Sequence, residues 1–179
     1  VLNFEMANTT EMIHFALKLK PDYCCIVPEK RDEKTTEGGL ILPSTNTLKF
    51  KNFSDNIKKL SNEGIKVSLF IDPNIESVQV SKDLGADIVE LHTGHYANEF
   101  NTINEFEMID NITSSAEFAD KLGLLVNAGH GLNYENLNQL CKIQSLNELN
   151  IGHSIISQAV FTGLKDAIKK IISIINNCD

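Results

Sequence analysis

Apolar residues along the chain follow two periods in turn. Six short runs rich in aliphatic and β-branched residues, at 1–6, 23–27, 65–71, 87–92, 124–128 and 146–151, have the length and composition of strands. Each is followed by a segment in which apolar residues recur three and four apart, the spacing that places them on one helix face. In the last segment Leu164, Ala167, Ile168, Ile171, Ile172 and Ile175 make one continuous stripe, and Met12, Ile13, Ala16 and Leu17 make a shorter one near the start. Weaker stripes lie at Phe53, Ile57 and Leu60, at Ile75, Val78 and Leu84, at Ile112, Phe118 and Leu122, and at Leu137, Leu140 and Cys141. The pattern predicts six consecutive βα units.

The strands read as apolar along most of their length, without clean alternation, which suits a parallel sheet covered by helices. The class is therefore α/β, and periodicity leaves two architectures open, a doubly wound open sheet and a (β/α) barrel. Unit length bears on the choice. Six units in 179 residues average about 30 residues each, and eight of that size would reach about 240, the usual length of a barrel. A barrel would lack two units. Without repeats, low-complexity tracts or a proline-rich linker, residues 1–179 are expected to form a single domain. The longest irregular stretch, residues 28–43, fits a lid or binding loop as well as a disordered excursion, and its charged run at 29–34 fits a solvated surface.

Composition narrows the function classes. A 42% hydrophobic content supplies a core, and 16 Lys+Arg against 24 Asp+Glu leave a net charge of −8, which disfavours nucleic acid as a partner. No apolar run approaches the roughly 20 residues that cross a bilayer, and the first residues lack the basic and apolar regions of a secretory signal. The expectation is a soluble, cytoplasmic protein. Four cysteines, two of them adjacent and none in a C-x-x-C pair, point to reduced thiols and not to a disulfide framework or zinc cage.

Ligands of parallel α/β folds bind at the carboxyl ends of the strands, and polar residues gather there: Glu5, Glu90 with His92, Asn127 with His130, and Asn150 with His153. Glu90 and His92, two apart in a strand, share one side of the sheet. An acidic group in an apolar strand is costly unless paired, so Glu5 and Glu90 are either salt-bridged structural groups or titrating catalytic ones. A single strand-end histidine is more often structural. His92 and His95 have H-x-x-H spacing, yet no further ligand is identifiable in sequence, so no metal is expected. Asp72, ahead of Pro73, reads as a cap or turn residue. The strongest local feature is a pair of glycine turns, Asn127-Ala128-Gly129-His130-Gly131 and Asn150-Ile151-Gly152-His153-Ser154. Each lies between a strand and a helical segment, where close backbone approach and free N–H groups favour a phosphate. Residues 154–159 fit the short extra helix that holds phosphate in many barrels.

Eight spaced blocks resemble one family, pyridoxine 5'-phosphate synthase: Phe4-Glu5-Met6-Ala7, Val27-Pro28-Glu29-Lys30-Arg31, Thr35-Thr36-Glu37-Gly38-Gly39, Val67-Ser68-Leu69-Phe70-Ile71, Glu90-Leu91-His92-Thr93-Gly94, Asn127-Ala128-Gly129-His130-Gly131, Leu149-Asn150-Ile151-Gly152-His153 and Thr162-Gly163-Leu164. The resemblance implies a TIM (β/α)8 barrel of which this sequence carries the last six βα units. It implies condensation of 1-deoxy-D-xylulose 5-phosphate with 3-amino-2-oxopropyl phosphate to pyridoxine 5'-phosphate, phosphate and water, with no metal or organic cofactor. By position, Glu5 matches the family's proton-accepting glutamate, His130 its proton-donating histidine and Glu90 the glutamate that stabilises the transition state. Gly131, Gly152 and His153 match contacts to the amino-ketone phosphate, and Thr35 a contact to the deoxyxylulose phosphate, which would make residues 28–43 a lid. A homo-octamer built from dimers is likewise implied.

One departure is large. The family begins with two further βα units that carry a catalytic histidine and phosphate-gripping arginines, and the sequence opens without Met on a strand-like run. The resemblance therefore implies a longer chain than the one given. Two other readings share the phosphate turns: a binder of phosphorylated ligands without turnover, and a different sugar-phosphate barrel enzyme.

Overall fold

A computed structural model describes residues 1–28 and 38–177. Six strands alternate with helices: β1 (Asn3–Ala7), α1 (Thr10–Leu19), β2 (Tyr23–Val27), α2 (Leu48–Asn62), β3 (Lys66–Ile71), α3 (Ile75–Leu84), β4 (Ile88–His92), α4 (Gly94–Glu99), α5 (Glu105–Lys121), β5 (Leu125–Gly129), α6 (Leu137–Leu140), β6 (Glu148–Asn150), α7 (His153–Thr162) and α8 (Leu164–Asn176). The six βα units are those the periodicity predicts. Helical crossovers return the chain to the same end of the sheet each time, so every neighbouring pair is parallel, in the order β1-β2-β3-β4-β5-β6. Helices α1, α2 and α3 start where a side chain takes up an end amide: Thr9, Thr47 and Asn74 accept from the amides of Met12, Phe50 and Ser77.

Pairing shows an alternation that the sequence alone conceals. Met6, Ile26, Leu69, Val89 and Val126 are successive register partners, one row across five strands, and each is almost wholly buried. Against this face pack the helix stripes, including Phe53, Ile57 and Leu60 of α2 and Ile112, Ala116 and Ala119 of α5. The residues between them carry the polar groups. Phe70, Glu90, Asn127 and Glu148 form one row on the opposite face, and His92, Gly129 and Asn150 the next. The strands thus do alternate, with one face apolar towards the helices and the other mixed, because the second face lines a cavity.

Two expectations need correction in extent. The long stripe of the last helix is only part core: Ala167 and Ile171 are buried, whereas Leu164, Ile168, Ile172 and Ile175 remain exposed. The cause is location, since α8 packs on α6 and α7 beyond β6, which has a strand partner on one side only. The stripe at Leu137, Leu140 and Cys141 gives a single helical turn. Among the described residues no helix is long and apolar enough to cross a membrane, and Cys24, Cys25 and Cys141 are in no disulfide.

Candidate active site

The mixed face opens on a cavity of about 780 Å³ at the carboxyl ends of the strands. Its walls come from Glu5 of β1, Phe70 of β3, Glu90 of β4, the segment 130–133 after β5 and the segment 150–154 from β6 into α7. The first and last strands of a six-stranded sheet can line one cavity only if the sheet curls, as a barrel does. Glu5, Glu90, His130, Gly131, Gly152 and His153 all lie on it. Thr35 lies outside the described residues, as does most of the expected lid.

Glu90 sits deepest of the carboxylates. Burial pushes its carboxyl above the ordinary carboxylate range; hydrogen bonds from Asn150 and Cys25 oppose that, and the charges of Glu5 and Glu148 add to it. The Cys25 thiol lies 3.5 Å from Glu90 Oε2. Burial and the adjacent Glu90 charge push that thiol well above its usual range, so it serves as a donor and not as a nucleophile. A carboxyl raised on folding binds its proton more tightly folded than unfolded, so stability is lost as pH rises through and above the ordinary value of 4.5. Glu90→Gln keeps the shape and removes the charge. It is expected to raise stability at pH 7 to 8 by about 1 kcal/mol, or roughly 3 °C in Tm, with the gain vanishing near pH 4. Thermal melts of both proteins from pH 4 to 8 check this.

His130 is held in a strained turn. Its φ is 86° and that of Gly131 is 74°, two successive left-handed residues directly after β5. The strain is fixed by Thr93, whose Oγ1 lies 2.8 and 2.6 Å from the carbonyl oxygens of Gly129 and His130. Close approach explains the glycines on either side. A Cβ at Gly129 would come within 2.5 Å of Glu90 Oε1, and one at Gly131 within 2.6 Å of the Ala97 methyl. Gly152 differs: its φ is −114° and a Cβ there would meet nothing within 4 Å, so what a side chain would occupy is cavity. Helix α7 begins at His153 with no side-chain cap, so its first amides face the same space.

Sequence reasoning missed a second cluster. Asp72 does not cap α3, which Asn74 does; its Oδ1 instead lies 3.2 Å from His92 Nδ1 and accepts from the Gly39 amide at 2.8 Å. The His92 hydrogen bond and the Gly39 amide hold Asp72 below the ordinary carboxylate range against the effect of burial. Gly39 has no room for a side chain, since a Cβ would come within 2.2 Å of the Asp72 nitrogen. His95 completes a set with Asp72 and His92 whose donor atoms lie within 4.8 Å of one another. Metal-bound histidines give their other ring N–H to an acceptor. With a metal on Nδ1, His92 would bury an Nε2–H that no described residue accepts, so the cluster is better read as a hydrogen-bonded carboxylate and imidazole. Only its H-x-x-H part was visible in sequence, because Asp72 is 20 residues distant.

The fold and cavity are those of a parallel α/β barrel with polar side chains at the strand ends. An HpcH/HpaI aldolase from Desulfitobacterium hafniense DCB-2 has the same fold, with a TM-score of 0.56 at 14% identity over 99% of this chain and 74% of its own. Sequence is more specific. The family model described as pyridoxal phosphate biosynthesis protein PdxJ matches residues 1–177, and the chain belongs to that family. It is 46% identical over 175 residues to a pyridoxine 5'-phosphate synthase of Coxiella burnetii (strain RSA 493 / Nine Mile phase I), covering 97% of this chain and 71% of that protein. A pyridoxine 5'-phosphate synthase of Prochlorococcus marinus (strain MIT 9312) is 48% identical over 176 residues, covering 98% and 72%.

Proposed function

We propose that the protein is a pyridoxine 5'-phosphate synthase that joins 1-deoxy-D-xylulose 5-phosphate to 3-amino-2-oxopropyl phosphate. The observation that carries this is the convergence of Glu5, Glu90 and His130, from three strands, on one cavity whose far wall is a glycine turn at the start of α7. Amine attack on a ketone, loss of water, proton abstraction from carbon and ring closure need protons moved both ways in one site. Glu5 accepts protons from carbon. His130 gives a proton to departing oxygen, and Glu90, held toward its neutral form by burial, hydrogen-bonds charge that develops between them. The phosphate of the amino ketone lies against Gly131, Gly152 and His153, where the α7 amides and the positive helix end favour an anion.

One observation favours a second reading for the chain by itself. Among the described residues both β1 and β6 have a strand partner on one side only, so the six strands do not close, and such a chain would bind phosphorylated ligands without turnover. A single experiment separates the two. The intact protein is incubated with both substrates while product is followed by its absorbance, and thermal stability is measured with inorganic phosphate and with each substrate. Product formation is expected, together with a ligand-induced rise in Tm. A rise without product supports the binding reading, and product from neither substrate pair nor stabilisation by any phosphate removes both. Gly152→Val should abolish the rise while folding normally, because the added methyls enter cavity and not core.

A further inference from the structure

The buried imidazole of His92 has no place in the proposed chemistry, and its surroundings are unusual. It is 1% exposed, it lies at the end of β4 in register with Gly129, and its Nε2 has no hydrogen-bond partner among the described residues. Its other nitrogen faces Asp72 Oδ1 at 3.2 Å. A carboxylate accepts from Nδ1–H, and a neutral imidazole with its proton on Nδ1 carries a lone pair on Nε2. The His130 ring is its neighbour, with the two ring centroids 5.0 Å apart and the rings tilted by 46°. Nε2 makes no hydrogen bond to it as the rings stand, but a ring nitrogen lies about 1.2 Å from its centroid, so rotation of the His130 ring can bring one within hydrogen-bonding reach.

A second feature keeps the rings together. Gly94 opens α4, and a Cβ there would come within 2.5 Å of His92 Nε2 and 2.9 Å of His130 Cδ2. The glycine occupies the angle between the two imidazoles, and its missing side chain is what lets them approach. We propose that Asp72 and His92 form a carboxylate–imidazole dyad behind His130, in which the open His92 Nε2 accepts a hydrogen bond from His130 when that ring rotates towards it during turnover, and thereby orients it and favours its protonated form. His92 and Asp72 are positioning residues: they touch no substrate and act through His130. This rests on the reading of His130 as the proton donor. Other titratable groups also face the pair, His95 with its centroid 5.6 Å from that of His92, and Glu5, Glu90 and His153 across the cavity. None of these is hydrogen-bonded to His92 among the described residues; Asp72 is.

The test has a part that needs no turnover. Nitrogen-15 NMR of the intact protein reads the tautomer of His92 directly, and Nδ1–H with an unprotonated Nε2 is expected. Titration followed by NMR should then show that Asp72→Asn makes His130 lose its proton at lower pH than in the parent, and that Asp72→Glu restores much of the difference. In the turnover assay Asp72→Asn should lower kcat by about 10- to 100-fold with KM changed less than about threefold, and should move the basic limb of the kcat profile to lower pH. Gly94→Ala, which keeps every titrating group and parts the rings, should do the same. A proton on His92 Nε2, or a His130 titration unchanged in both variants, would overturn the dyad even if the synthase activity is confirmed. The expected NMR changes in a protein without turnover would uphold the dyad and remove the synthase reading instead.

Discussion

Glu5→Gln should lower kcat by about 10²- to 10⁴-fold, the usual worth of a positioned proton acceptor, while leaving the folded state nearly unchanged. Glu5 pairs with Cys25 in the β1–β2 register and its side chain enters the cavity without being buried by the core. Glutamine keeps that shape and its hydrogen-bonding reach, but it cannot take a proton from carbon near neutral pH. The apolar row beside it, from Met6 to Val126, is untouched, so Tm should move by no more than about 2 °C. KM should change little if the carboxylate acts on the reacting carbon and does not grip substrate. The comparison is made at matched folded fraction, by kcat and KM for each substrate beside circular dichroism. A variant as active as its parent would take Glu5 out of the chemistry.

The contrast with Glu90 shows how one face of one sheet yields two kinds of carboxylate, in rows two residues apart. Glu90 lies between neighbours on both sides, Phe70 and Asn127, and burial dominates its titration. Glu5 stands on a strand paired on one side only. Replacing each by glutamine should therefore have different consequences for stability, a gain at Glu90 and almost none at Glu5, although both lower turnover. That difference follows from place in the sheet and not from residue type.

What could be read in the sequence were features carried by local spacing. All six βα units, the strand-end positions of Glu5, Glu90 and His130, and the two glycine turns follow from periods of two and 3.6 and from the residues that break them. What could not be read depends on partners distant along the chain. The polar alternation on the strands was hidden because Cys25 and Phe70 are as apolar by composition as the residues packed against helices, and register alone separates the two faces. Asp72 looked like a cap because Asx residues before prolines usually are; its true partner is His92 on the next strand. Gly39 and Gly94 stand out in the sequence only as members of the family blocks, yet the nearest atoms to their absent side chains belong to Asp72 and Ile71 in one case and to two imidazoles in the other. A signal was available for one of them. Gly94 follows His92 at a strand end, where a helix begins without a side-chain cap.

At His130 the backbone and the proton can be separated by choice of substituent, which makes its variants the sharpest test of the site. Its φ of 86° is a conformation that asparagine enters more readily than most residues, so His130→Asn should preserve the turn held by Thr93 and lose only the imidazole. The expected result is a fall in kcat of about 10²- to 10⁴-fold. KM for the amino-ketone phosphate should stay within about threefold, because Gly131, Gly152 and His153, the proposed phosphate contacts, are unchanged. The basic limb of the kcat profile, which reports an acid that must hold its proton, should disappear. His130→Val should do more: a β-branched residue with positive φ adds roughly 1 to 2 kcal/mol of strain, so Tm should fall as well and the phosphate turn should loosen. If asparagine and valine lowered turnover and stability in parallel, the histidine would be holding the turn and not moving a proton. If asparagine removed turnover at an unchanged Tm, the proton would be its contribution.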